Sequence, residues 1–372
     1  MKPSHWHYWI SMLLCTTLVP VLHSQRLSAK FDWVTLAVAY WVVLAVQSMF
    51  LAAILCVIGM PREQVWEPFL ARYQENPFRI VPVVGYFVVL VWATTWLTAL
   101  VVTVATVAVL ELRERRKQRG LQQAVIAAFP AAAYFFVGFL MVLAYNCAIV
   151  SARFNLAADP ALDSIDHWLM HGHSIWDFTH WAVRTLPLSF FEVMEFIYFG
   201  MFPQIGATII LLALCDGRSR ALQFVGTILL AYCFALAMFY IWPAQGPYYL
   251  SPSGLPSSLR CYTVQTTLVA RAEALRQHAP IHRISTDYFI EMPCMHIVQP
   301  LIVLWFLRRW KRMVTLLAAY DVVLVVAVLV LEMHYVIDIL VGVVVAAVAI
   351  AITAPPRRES RNPDAAQAGA AE

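Results

Sequence analysis

Apolar residues run in long unbroken blocks along this chain, with short polar gaps between them. The blocks lie at about 33–60, 79–110, 121–151, 188–214, 221–243, 294–307, 313–333 and 335–354. They are continuous rather than alternating, which selects helices over the strands of a closed barrel. In lipid, backbone groups must bond within their own segment, so apolar helices of about 20 residues are expected to span the bilayer. The expected fold is therefore all-α, a polytopic membrane helical bundle. An earlier block, HYWISMLLCTTLVPVL (7–22), is short for a span. It reads as a signal-like segment, an interfacial helix or a tilted first helix. No small-residue cleavage site follows it cleanly, so it is kept in the mature chain. The tail PPRRESRNPDAAQAGAAE (355–372) is polar and rich in small residues, and is expected to be disordered.

Composition agrees with a membrane class. Apolar residues make up 61% of the 372, charged residues 13%, and the mean hydropathy is +0.70. A soluble domain carries about 25% charge. The net charge of +4 is small, and no basic-aromatic cluster accompanies it, so nucleic acid is not an expected partner. The basic clusters RERRKQR (113–119), RSR (218–220), RRWKR (308–312) and RR (357–358) fall on one side when spans are counted between them. That side is expected to be cytoplasmic. The wetter stretch 152–187 and the polar loop 244–292 then face the other way, towards a periplasm or lumen. The seven cysteines contain no CxxC pair, so a cysteine metal site is not expected. Cys261 and Cys294 lie in or beside the long loop, either as a disulfide or as two unrelated thiols.

The chemistry concentrates in two short stretches that open spans from the same side. In LEMHYVIDIL (331–340), His334 and Asp338 are spaced i, i+4, neighbours on a helix. A carboxylate beside an imidazole fixes its tautomer and favours its cation, which makes the free nitrogen a better nucleophile or base. In EMPCMHIVQP (291–300), Pro293 and His296 stand at the start of another helix. Its free N–H groups favour a phosphate, and a histidine there is placed to protonate a leaving alkoxide.

PCMH followed by HYVID resembles the type 2 phosphatidic acid phosphatase superfamily. Within it, the resemblance is to the branch of inositol phosphorylceramide and sphingomyelin synthases, which has a Pro-Ser-x-His and a later His-Tyr-x-x-Asp motif. YIWPAQGPYYL (240–250), containing Gly246, is similar to that branch's first motif. LDSIDHWLMHG (162–172) and the Tyr198–Pro203 helix fit its N-terminal half. The resemblance covers 121–354 and implies a six-helix catalytic core, preceded by two or three extra spans in 1–120. It further implies that His334 attacks phosphorus and forms a phosphohistidine-type intermediate, that Asp338 orients it, and that His296 protonates the departing oxygen. The substrate site it implies takes in Pro293, Cys294, Tyr335 and Gly246, with Arg283 as a candidate headgroup contact. No metal or other cofactor is required. The partners implied are a membrane phospholipid donor and a lipid or polyol alcohol acceptor.

Two departures from the pattern carry information. Cys294 stands where the family has a phosphate-binding serine, and a thiol is the weaker donor. The phosphatase motifs also carry a Lys and two Arg where this chain has Ala235, Trp242 and Val328. A phosphate monoester approaches two charges at neutral pH and a diester has one, so the loss of cations points to a diester donor. Arg260, Arg271, Arg276 and Arg283 are either headgroup contacts or solvated loop charges. Rival readings are a hydrolase passing the same intermediate to water, a non-enzymatic transporter or scaffold, and a metal-dependent enzyme. His167, His171, His173 and His180 read as part of an interfacial segment with Trp168, Trp176 and Trp181, although His167 and His171 have ligand spacing. Glu192 and Glu195 line the cavity or bond between helices. Asp321 is expected to pair locally.

Overall fold

A computed structural model describes residues 47–48, 51–52, 55, 120–153, 158–250, 254–277 and 290–354. Most of the expected N-terminal spans, Arg283 and the tail after 354 lie outside the described residues. Every regular element described is a helix. In chain order these are α1 (Gly120–Arg153), α2 (Asp159–Leu169), α3 (Ile175–Thr185), α4 (Leu188–Phe199), α5 (Met201–Cys215), α6 (Arg218–Ile241), α7 (Pro247–Leu250), α8 (Arg260–Arg276), α9 (Met295–Leu307), α10 (Lys311–Val330) and α11 (Val336–Thr353).

Among the described residues, five stretches are long and apolar enough to cross a membrane: Ala128–Val150, Leu188–Cys215, Arg218–Ile241, Lys311–Val330 and Val336–Thr353. The chain is an integral membrane protein. The outer faces of these helices carry exposed Phe196, Val322, Val344 and Ile352, as contact with lipid requires. The block 188–214 is one apolar run in sequence, but the structure breaks it at Gly200 into α4 and α5.

The sixth core helix, α9, has 13 residues. At 1.5 Å per residue it is about 20 Å long, short of the roughly 30 Å hydrocarbon layer. It needs no surface of its own, because α5, α6, α10 and α11 surround it. Polar side chains inside the bundle pair across helices. Gln299 donates to Tyr232 Oη, and Thr227 Oγ1 donates to Thr353 Oγ1 at 2.8 Å. Asp321 Oδ1 accepts from Gln204 Nε2 at 3.2 Å, so its partner is on α5 and not in its own loop as expected. Ser48, Ala52 and Leu55 are also buried, the last two within the core.

The ends of the bundle differ. At one end the basic loops meet: Arg309 pairs with Asp216, and Arg220 lies 4.3 Å from the centre of the Phe306 ring. At the other end sit the short helices α2, α3 and α7 and the first turns of α9 and α11. Helix α2 starts with Asp159 and a proline in its first turn. Helix α3 starts with a capping box, in which Ser174 Oγ accepts from Asp177 N at 3.1 Å and Asp177 Oδ2 accepts from Ser174 N at 2.8 Å.

Candidate active site

The two histidine motifs converge through their backbones. Cys294 caps α9, and its N–H donates to the Asp338 carbonyl in the first turn of α11, at 3.0 Å. The two helix starts are held together by that bond. Gly342, one turn further along α11, allows the approach, since a Cβ there would stand 3.0 Å from the Cys294 carbonyl oxygen. Close packing at this seam sets the distance between the imidazoles. The ring centres of His296 and His334 are 5.6 Å apart, with the planes at 60°. Cys294 Sγ and one nitrogen from each ring all lie within 4.8 Å of one another.

His296 is 5% exposed, and neither ring nitrogen has a hydrogen-bond partner among the described residues. Tyr198 of α4 stacks on its ring at 4.1 Å between centres, and Phe202 of α5 meets it edge-on at 6.2 Å. The ring is thus held by packing while its polar atoms stay uncommitted. A buried polar atom without a partner costs about 1–3 kcal/mol. Such a cost is tolerated at sites that await a ligand.

His334 precedes α11 and is not on it. The helix begins at Val336 after the cap Tyr335, so the i, i+4 spacing is realised across a helix entry. Asp338 folds back to accept from Tyr335 N at 2.8 Å, and its Oδ2 lies 3.7 Å from His334 Nδ1. The nearer carboxylate is Glu291, whose Oε1 is 3.1 Å from the same nitrogen. Glu291 lies three residues before Cys294 and was present in the quoted motif, but no spacing rule links it to His334. Burial pushes its carboxyl up to about 7, and the His334 charge beside it works against a further rise. Burial disfavours the His334 cation, but Cys294, Glu291 and the Asp338 carboxylate outweigh it and hold the imidazole well above the ordinary histidine range. Gly246 sits against Glu291 with φ +109°, where a side chain would strain the backbone and stand 3.0 Å from the carboxylate. The 240–250 motif therefore reaches the site through Gly246.

Two aspartates of α2 hold this end together, and neither is assigned a role by sequence reasoning. Asp159 Oδ1 accepts from Gln245 N at 2.9 Å and Gly246 N at 2.8 Å, and Tyr335 Oη donates to it at 3.4 Å. Burial pushes its carboxyl up to about 6 despite those N–H donors. Asp166, seven residues and about two turns on, accepts from Val336 N at 2.6 Å and Ile337 N at 2.9 Å. One carboxylate thus fixes the 243–250 loop and the other caps α11. Gln265 of α8 adds a third tie, donating to the Leu331 carbonyl at 2.7 Å in the turn that carries His334. The D-x6-D spacing on an amphipathic helix was the available signal.

Other residues singled out by sequence lie elsewhere. Pro293 and Tyr335 are buried at the site, and the Tyr335 phenol points to α2. Arg260 is spent over the Phe199 ring at 4.0 Å, and Arg271 reaches Cys147 Sγ on α1 at 3.2 Å. Glu195 accepts from Cys261 N at 2.6 Å, while Glu192 is exposed. Cys261 and Cys294 are not joined in a disulfide. His171, His173 and His180 are exposed, and His167 Nδ1 pairs with Asp163 at 3.4 Å. Among the described residues, the side-chain sets with metal-ligand proximity are Cys294, His296, His334 and, overlapping it, Glu291, His334, Asp338. Ala235 and Val328 are fully buried apolar residues, and Trp242 is exposed.

A family model described as the PAP2 superfamily matches residues 161–352, which takes in α2 through nearly all of α11. No curated protein and no solved structure matches the chain.

Proposed function

This chain belongs to the PAP2 superfamily, and from that premise we propose that it is a membrane phosphotransferase that moves a phospho-headgroup from a phospholipid to a lipid or polyol hydroxyl. The coarser statement, a lipid enzyme of phosphatase or phosphotransferase type, follows from the superfamily. The observation that carries the finer one is the convergence of two buried imidazoles, one with both nitrogens uncommitted and one facing a carboxylate.

The steps balance in two halves. Glu291 holds His334 through Nδ1, and with the donor bound the Nε2 proton of the His334 cation passes to His296, which frees Nε2 to attack. A bond forms between Nε2 and phosphorus as the bond from phosphorus to the donor's lipid oxygen breaks. His296, which has taken that proton, gives it to the departing oxygen. The acceptor hydroxyl then loses its proton to the neutral His296 and attacks phosphorus, and the nitrogen–phosphorus bond breaks. The proton then passes back from His296 to His334 Nε2, and both histidines return to their starting states. Asp338 and the N–H groups at the start of α9 complete the electrostatics, with Cys294 as a weak donor.

A diester donor is supported by the apolar residues at the positions of the phosphatase cations. Ala235 and Val328 bring no charge, and Arg260 and Arg271 are turned to other partners. A singly charged phosphate asks less of the site than a doubly charged one. The proposed active site lies on the non-cytoplasmic face, opposite the end where RSR and RRWKR meet.

The test is transfer by the purified protein from labelled phospholipids to lipid and polyol acceptors. Headgroup-bearing product that depends on acceptor supports the reading. Release of phospho-headgroup into water at the same rate with and without acceptor identifies a hydrolase. Full transfer by both His334→Ala and His296→Ala removes the reading altogether.

A further inference from the structure

We propose that the same pocket is a thiophilic metal site, in which Zn²⁺ is bound by Cys294, His296 and His334 and shuts the enzyme off. The three donor atoms already lie within 4.8 Å of one another and are buried. Zinc bonds to sulfur and imidazole nitrogen are about 2.0–2.3 Å, which puts tetrahedral ligands roughly 3.5 Å apart. Side-chain rotations of about 1 Å close the cage.

Three features favour the metal. First, His296 has two buried nitrogens without hydrogen-bond partners among the described residues, and aromatic walls that keep the ring in place. Second, His334 meets Glu291 through Nδ1 at 3.1 Å. A carboxylate behind a histidine fixes the tautomer that presents Nε2 and raises its basicity, which is the usual support of a zinc ligand. Third, position 294 is a cysteine. A serine hydroxyl is a poor zinc ligand, while a thiolate is among the best. Three protein ligands leave a fourth position for water. On binding, the Cys294 thiol releases its proton to solvent and its sulfur lone pair forms the metal bond, with no change of oxidation state.

The regulatory part rests on the function proposed above. Zinc on His334 Nε2 occupies the lone pair that attacks phosphorus, and zinc on His296 blocks its proton transfer. The metal is therefore an inhibitor that competes with the donor phosphate. A chelator leaves activity unchanged or raises it, which is the opposite of a metal-dependent enzyme.

The experiment uses the full chain in detergent, stripped with a chelator and titrated with Co²⁺ as an optical probe for Zn²⁺. The expected result is one Co²⁺ per chain, tetrahedral visible bands, a near-ultraviolet sulfur-to-cobalt band, and displacement of all of them by Zn²⁺. Cys294→Ser is expected to lose the sulfur band. Glu291→Gln is expected to keep the band with metal affinity lower by about 10–100-fold. X-ray absorption of the zinc-loaded wild-type protein provides a reading independent of any variant, with one sulfur and two imidazoles expected. Substoichiometric cobalt, octahedral bands, or a sulfur band that survives Cys294→Ser overturns the site. Metal binding by a chain that shows no phosphotransfer even when stripped of metal sinks the enzymatic reading alone. Phosphotransfer without this metal signature sinks the zinc site alone.

Discussion

Two groups of buried polar residues share one end of this bundle, and they are treated in opposite ways. The α2 aspartates are saturated: Asp159 and Asp166 take backbone N–H groups from the 243–250 loop and from the first turn of α11. Of the imidazole pair, His296 is left open, with no hydrogen bond on either nitrogen among the described residues. Both groups pay for burial, but only the first recovers the cost within the fold. A satisfied buried carboxylate holds loops and helix starts in place, and an unsatisfied buried base is available to a ligand. The contrast separates the scaffold of the site from its chemistry without reference to sequence motifs.

The comparison breaks first at His334. Replacing it with Ala is expected to lower transfer by at least about 10³-fold, as removal of a nucleophile does, while the variant still elutes as a folded protein. His296→Ala is expected to cost about 10²–10⁴-fold. A donor whose leaving alcohol is acidic needs no proton and should rescue His296→Ala but not His334→Ala. Equal rescue of both would contradict the assigned roles.

Glu291 sharpens the boundary, because it is buried like a scaffold residue but faces the nucleophile. Its carboxyl titrates at about 7, raised by burial. It is protonated below that value and ionised above it, and only the ionised form supports the imidazole. Transfer should therefore rise with pH through about 7, and Glu291→Gln should flatten that limb of the profile.

The scaffold side predicts smaller effects of another kind. Asp166→Ala removes a helix cap and is expected to cost about 0.5–2 kcal/mol of stability, read as a lower melting temperature. Its transfer rate should fall less than that of either histidine variant. The smallest effect is expected from Arg271→Ala. That side chain reaches Cys147 on α1, and transfer should stay within about twofold of the wild type.

Much of the architecture was legible beforehand. The six apolar blocks from 121 onward correspond to the five membrane-crossing stretches and the short α9. The pairing of Asp216 with Arg309 brings two of the basic loops to one end of the bundle. The break at Gly200 was not legible, because the apolar run continues through it. The pairing of Asp321 with Gln204 was not legible either, since the partners are 117 residues apart. Near the site, PCMH and HYVID were conspicuous as polar residues in apolar surroundings. Glu291 was equally visible but had no spacing to mark it, since its partner is 43 residues away.

The sequence by itself determined that this is a helical membrane protein with two histidine-bearing helix starts on the same side. Hydropathy and charge are local properties that a bilayer reads segment by segment, so no packing information is needed to state that much. Which carboxylate faces which imidazole, and which merely caps a helix, was decided by tertiary structure alone. After the helices dock, the unpaired N–H groups and ring nitrogens are fixed in place. Only then do Asp159 and Asp166 meet backbone donors and Glu291 meet His334, while the His296 ring nitrogens meet no hydrogen-bond partner among the described residues.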